Sequence, residues 1–313
     1  MLIRPSTPDD YAAIADLITQ TSHNYIVTPD QLAYADANRE AKIKFGRWVA
    51  EQADQVIGFA MHTQYLDLYD VDKLWVAVRV YPDHQRQGIG TQLYNRLLAN
   101  VAPYDPVALR VTVREDVPAS LHFATKRGFT EYSRRWESTL DVAAFDPKPY
   151  ADLIAKLAAQ GIVIKSLADL VDDPARDEKF YHLQVAIDQD VPMADAYTPP
   201  TREQFQKMVF ENPDFMPEAT FVAVHGDAYI GVCSHFRTTP QTLYIDLTGT
   251  RAEYRRRGIA LALKVRGIQF AQAQGYRQMG VTNDPVNTGM LAINEQLGFL
   301  RQPAQIKLEK VLR

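Results

Sequence analysis

A hexapeptide written twice constrains this chain more than any other feature: Gln85-Arg86-Gln87-Gly88-Ile89-Gly90, then Arg255-Arg256-Arg257-Gly258-Ile259-Ala260. The same displacement of 170 residues carries Val111-Thr112 onto Val281-Thr282, Leu121 onto Leu291 and Gly128-Phe129 onto Gly298-Phe299 without a gap. Upstream, Val49-Ala50 and Ile57-Gly58 fall on Val222-Ala223 and Ile230-Gly231 at a displacement of 173, a loop difference of three residues. A chain repeating in register over this length folds as two copies of one architecture. Its 313 residues suit that reading, being too many for one small core.

Hydrophobic pattern supplies the elements. Leu2 to Arg4 reads as a short strand, and Tyr11 to Thr19 as a helix. Strands follow at Arg47 to Glu51, Ile57 to His62 and Leu74 to Val80. Behind the first glycine loop, Ile89, Leu93, Leu97 and Val101 recur at helical spacing, and Pro103 and Pro106 end that helix. Ala108 to Val113 is a β-branched run, Pro118 to Lys126 a helix, and Gly128 its stop. The second half repeats the order with strands at Phe221 to Val224, Tyr229 to Cys233, Leu243 to Thr250 and Tyr276 to Thr282, and a helix at Met290 to Gln296. The expected boundaries are a first domain over 1–145, a connector over 146–176 packed on it, and a second domain over 177–313.

Composition narrows the function. With 34 Lys plus Arg against 38 Asp plus Glu, the formal charge of −4 gives no global attraction to nucleic acid or an anionic membrane. No segment approaches the roughly 18 apolar residues of a membrane span, so a cytoplasmic protein is expected, as monomer or homodimer. The lone Cys233 excludes an internal disulfide, and seven scattered histidines show no metal-ligand spacing; no metal is expected.

Glycines at the fourth and sixth loop positions let successive N–H groups point into one concavity, and the positive end of the following helix adds to the pull on an anion. A pyrophosphate fits; a tight turn that binds nothing is the alternative. Neither a Gly-x-x-x-x-Gly-Lys-Ser/Thr loop nor a three-glycine dinucleotide fingerprint is present, which sets aside nucleotide triphosphatases and dehydrogenases.

The pattern Gln/Arg-x-x-Gly-x-Gly/Ala after a strand, then strand, helix and Gly-Phe, resembles the GCN5-related N-acetyltransferase (GNAT) family in tandem, laid out as in mycothiol synthase-like members. The opening Ile3-Arg4-Pro-Ser-Thr-Pro-Asp-Asp is similar to that family's first strand and turn. The resemblance implies an α/β (α+β) fold of two domains. Each has a mixed, mostly antiparallel sheet with flanking helices, split between its fourth and fifth strands to admit acetyl-CoA. It implies cofactor contacts from Val78, Val80 and the loop 85–90 with Thr91 in the first half. In the second they come from Thr248, Thr250 and Arg255 through Ala260, with the arginines suited to the CoA phosphates. Family members often carry an Asn eleven residues before the Gly of Gly-Phe, where it contacts the cofactor. Asn287 stands there in the second half and Val117 in the first. A Tyr that protonates the departing thiolate often stands four residues before that Gly; here the positions hold Ala124 and Asn294.

Acyl transfer from acetyl-CoA to a primary amine by direct attack needs a base, since such an amine has a pKa of about 10.4. Asp246 on the second fourth strand is the candidate, facing Val76 at the equivalent place, and Asn294 is the candidate to orient a water or the sulfur. Glu115 and Asp116 are weighed as base or helix start, and Trp75, His84, Tyr244 and Tyr254 as packing. The expectation is an N-acetyltransferase acting on a small-molecule amine, catalytic in its C-terminal half. A non-catalytic acyl-CoA sensor and a tandem aminoacyltransferase remain as alternatives. The acceptor pocket is expected from His23 to Ala41 and Val191 to Pro217, where no motif is legible.

Overall fold

A computed structural model describes residues 1–23 and 25–313; Asn24, inside one expected acceptor segment, lies outside the described residues. The chain divides into two units, each built on one sheet.

The first unit takes residues Met1–Arg134, Ala194–Thr198 and Gln305–Arg313. Its elements are β1 (Leu2–Pro5), α1 (Tyr11–Thr21), α2 (Pro29–Ala37), β2 (Gly46–Gln52), β3 (Gln55–Thr63), β4 (Lys73–Val80), α3 (Ile89–Val101), β5 (Ala108–Arg114) and α4 (Pro118–Thr125). The sheet order β1-β2-β3-β4-β5 is completed by β13 (Gln305–Val311), which pairs antiparallel with β5 from Gln305 opposite Arg114 to Val311 opposite Ala108. Pairing is antiparallel except between β4 and β5. Ile89, Leu93, Leu97 and Val101 of α3 bury one face against Ile57, Leu74 and Leu109. On the other face Ile14 and Leu17 of α1 meet Val49 and Phe59. The helix α2 was not expected; a capping box starts it, Thr28 accepting from the Gln31 amide with Pro29 next in line.

The second unit takes Arg135–Met193 and Pro199–Ala304. It receives most of β6 (Thr130–Asp141), then α5 (Ala151–Ala159), β7 (Ile162–Ser166), α6 (Arg176–Asp188), α7 (Arg202–Phe205), β8 (Phe221–His225), β9 (Ala228–Thr239), β10 (Thr242–Thr250), α8 (Ile259–Ala273), β11 (Gln278–Asn283), α9 (Thr288–Gln296) and β12 (Leu300–Arg301). Its order is β7-β8-β9-β10-β11-β6, with β10 and β11 the parallel pair.

These units differ from the expected boundaries in two ways. The segment 146–176, expected to pack on the first domain, belongs to the second unit: its strand β7 pairs with β8, and Tyr150, Leu153 and Leu157 join the core around Leu263 and Ile268. Each half also lends the strand after its Gly-Phe to the other unit. Trp136–Asp141 pair with β11, while Gln305–Val311 pair with β5. A further five residues, Ala194–Thr198, join the first unit and bring Asp195 to a buried cluster. There Asp195 pairs with the Arg110 guanidinium, lies 3.0 Å from Lys307 Nζ, and accepts from the Tyr132 hydroxyl at 3.3 Å.

In both sheets the parallel ladder is short. It runs from Lys73–Trp75 against Ala108–Arg110, and from Thr242–Ile245 against Gln278–Val281. Beyond Trp75 and Ile245 the fourth and fifth strands no longer pair, so each unit has a split.

Candidate active site

The two loops share one backbone. Residues at the second and fourth positions are left-handed in both: Arg86 at φ 63° and Gly88 at φ 85°, Arg256 at φ 60° and Gly258 at φ 82°. An arginine in this region is uncommon, and its recurrence shows that the loop geometry dictates the conformation. Alternating handedness of this kind turns successive amides toward one side, and neither α3 nor α8 has a side-chain cap over its N-terminus.

Side chains inside the loops also repeat. Gln85 donates to the Val80 carbonyl at 3.0 Å and Arg255 to the Thr250 carbonyl at 3.2 Å, tying each loop to the end of its fourth strand. Gln87 donates to Asp83 O at 3.2 Å and Arg257 to Glu253 O at 3.4 Å. Arg255 is further held by Asp190, so within the arginine run Arg255 and Arg257 are engaged in the loop's own structure. Ile89 and Ile259 bury their side chains and leave only backbone at the loop. The hydroxyl of Thr91 accepts from Arg127 at 2.8 Å.

The sixth position behaves differently from expectation. A Cβ on Gly90 would stand 3.3 Å from the Phe123 ring of α4, so glycine there answers to packing inside the unit. The residue displaced by 170 from Phe123 is Ile293, and with Ala260 at the sixth position the second loop keeps the same left-handed residues. Ala260 therefore leaves the loop form intact.

The splits diverge. In the first unit, β3 and β4 pair without interruption, Val76 is buried, Val78 packs on the core and Val80 is buried at the strand end. Glu115 and Asp116 are taken up at the surface by Arg134 at 3.0 Å and Arg114 at 2.9 Å. Trp75 meets Tyr65 edge-on, and Lys307 lies over its ring.

In the second unit a β-bulge interrupts β9 and β10 between Ile245 and Leu247, inserting Asp246. A bulge bends the strand and breaks the ladder locally. Asp246 is exposed and lines a cleft with Thr248, Thr282, Asn283, Asp284, Asn287 and Lys264. Asn287 caps α9, its side chain accepting from the Met290 amide at 3.3 Å, a role Val117 cannot fill in the first unit. Thr248 Oγ1 sits 3.3 Å from Cys233 Sγ, and burial pushes that thiol up. Thr250 is buried beside the loop. Asn294 is buried; its Nδ2 donates to Asn283 Oδ1 at 2.7 Å, so it reaches the cleft through Asn283. Tyr244 bonds the Thr282 hydroxyl, with its own hydroxyl pushed up to about 12 by burial, and Tyr254 lies 3.3 Å from His225 Nδ1.

Lys264 escaped the sequence reading. It sits in the run Ile259-Ala-Leu-Ala-Leu-Lys264-Val265, and a single lysine in a helix ordinarily snorkels to water. Here it is fully buried, and desolvation pushes its ammonium down to about 8. The signal available was its neighbourhood, apolar on both sides.

Among the described residues no group of three or more His, Cys, Asp or Glu is placed to hold a metal ion, and no helix is long and apolar enough to cross a membrane.

Comparison with known proteins agrees with this architecture. The sequence model of the acetyltransferase (GNAT) family matches residues 12–129 and again 187–299. A mycothiol acetyltransferase of Parafrankia sp. is 23% identical over 252 residues, covering 75% of each chain. One of Thermobispora bispora is 24% identical over 257 residues, covering 79% of this chain and 78% of its own. A solved tandem GNAT protein from the clavulanic acid biosynthesis pathway superposes with a TM-score of 0.75 at 18% identity, over 99% of this chain and 98% of that one. A GCN5-related N-acetyltransferase of Sphaerobacter thermophilus gives 0.68 at 19% identity, over 100% and 96%.

Proposed function

The chain belongs to the GNAT acetyltransferase family, and from that premise we propose that it moves an acetyl group from acetyl-CoA to a primary amine of a small molecule, with the chemistry in the second unit. The observation that carries the assignment is the bulge at Asp246, which sets an exposed carboxylate into a polar cleft where the first unit has buried Val76 in an unbroken ladder. Bound acetyl-CoA supplies an activated acetyl thioester. The loop amides of 255–260 take its pyrophosphate, with Arg256 the arginine of the run left to face it. Asp246 accepts a proton from the acceptor ammonium and passes it to solvent, which frees the amine to attack, and amides at the bulge serve the carbonyl oxygen. Asn294 acts as a positioning residue, orienting Asn283.

The residues fit this cosubstrate on two counts, the loop backbone and a split that stays open beyond Ile245. The test is thiol release from acetyl-CoA against a panel of primary amines. Asp246→Asn is expected to lower acceptor-dependent release by about 10²- to 10⁴-fold with CoA affinity retained. Undiminished release in Asp246→Asn would move the chemistry elsewhere. Tight binding with no acceptor-dependent release would make the protein an acyl-CoA sensor.

A further inference from the structure

Lys264 is a charge with nothing assigned to it. Its side chain exposes none of its surface, and its Nζ has no hydrogen-bond partner among the described residues. The Phe299 ring lies 5.6 Å away at its centroid and the Cys233 thiol is also near, both weak substitutes for hydration. Leaving an ammonium buried and unpaired is expensive. Yet the residue forms part of the wall of the cleft shared with Asp246, Thr248 and Asn287. A buried cation screened from water on the wall of a ligand cleft is poised for a group that enters with the ligand.

The first unit shows what the fold needs at this place. The residue displaced by 170 is Tyr94, whose ring packs on Phe123 and Phe129 and whose hydroxyl accepts from Lys310 at 3.4 Å. An aromatic with a satisfied hydroxyl serves packing, so the lysine of the second unit is an addition.

We propose that Lys264 is the partner of the coenzyme A sulfur, holding the departing thiolate and protonating it, in the role for which this unit has no tyrosine. The inference rests on the acetyl-CoA reading of the second unit. The acceptor nitrogen forms a bond to the acetyl carbon, the C–S bond breaks and its electron pair passes to sulfur. Lys264 gives an Nζ proton to that sulfur and regains the second proton that the acceptor nitrogen sheds, the first having left through Asp246 to solvent. The sum is one acetyl group moved, one thiol formed and one proton released. Burial that pushes the ammonium down to about 8 matches its acidity to a thiol near 8.5. The other titratable groups around it are Cys233 and His235 on β9, Asp246 on β10, and Arg135 and Asp284 at the cleft. His235, pushed down to about 4 by burial, stays neutral near pH 7, and Cys233 stays a thiol.

The test uses the whole chain with CoA and with desulfo-CoA, which lacks the sulfur. Near neutral pH, wild-type protein is expected to bind CoA about tenfold more tightly than desulfo-CoA, with thiolate ultraviolet absorbance from the bound cofactor. Lys264→Met keeps the volume and removes the charge. It should abolish both the preference and the absorbance while holding desulfo-CoA affinity within about twofold, which also reports an intact cleft. Equal wild-type affinity for the two ligands, with bound CoA protonated, overturns the proposal whether or not the variant folds, and leaves the acetyl-CoA reading standing. Absence of any CoA binding would bring down both.

Discussion

The first residue of each loop reaches back to the last carbonyl of the fourth strand, the third reaches back to the turn before it, and the second and fourth are left-handed in both units. Outside the loop, that identity ends. Where the second unit has a bulged strand, an exposed Asp246 and a buried Lys264, the first has an unbroken strand, Val76 and Tyr94. The fifth strand differs too: Arg110 of the first unit corresponds to Gly280, which lies so close under the Tyr244 ring that a Cβ would stand 2.5 Å from it. Both copies share the loop backbone, while the charged groups at the split stand in the second alone. The loops therefore do not distinguish the units; the residues on the wall of each split do.

The largest test of this contrast lies in the first unit, where a buried ion cluster stands beside the start of the split. Asp195 bridges Arg110 and Lys307, and Arg110 also pairs with Glu309 at 2.8 Å. Removing one partner of a buried pair leaves the other charged and desolvated. Asp195→Ala is expected to destabilise the first unit by about 3–5 kcal/mol, read as lost hydrogen-exchange protection across β5 and β13. Protection of β10 and β11 should be unchanged. Loss in both sheets together would show that the two units do not unfold independently.

A second test asks where the units stay equal. His62 and His235 correspond under the displacement of 173, both are buried on the third strand, and burial lowers each to about 4. A histidine whose folded value is depressed is held neutral by the fold, so stability is full above the unfolded value near 6.5. It falls as pH drops from there toward 4, because the unfolded chain binds the extra proton. By about pH 5 each should have cost about 2 kcal/mol relative to neutral pH. The check is denaturant unfolding against pH with imidazole titration by NMR. One ring titrating near 6.5 while the other stays silent would break the symmetry.

Much of this was legible. Alternating and β-branched runs placed β2 to β5, β8, β10 and β11 within a few residues, β9 runs on to Thr239 past its expected end at Cys233, and the Ile89-Leu93-Leu97-Val101 stripe gave α3. Strand exchange was not legible: β6 and β13 follow Gly-Phe in equivalent contexts, and local pattern carries no record of which fifth strand each will meet. Within the connector, the pairing of β7 with β8 was not legible either. Asp195 lay in a segment without periodicity. Lys264 was hidden by a sound rule about lysines that burial overrode, and the packing of the sixth glycine against Phe123 has no mark in the local pattern.

The finest test concerns the fourth glycine, whose conformation is shared and whose surroundings are not. At Gly88 a Cβ would meet nothing within 4 Å, whereas at Gly258 it would stand 2.7 Å from Leu153 Cδ1 of α5. Alanine at either place must adopt the left-handed region, at about 1–2 kcal/mol. Gly258→Ala must also displace Leu153, which packs with the core of its unit, adding about 1 kcal/mol or more. Thermal unfolding or exchange at the first turns of α3 and α8 should therefore show the larger loss in the second unit. Equal losses would mean that α5 yields freely, and would return the segment 146–176 to the status of a connector.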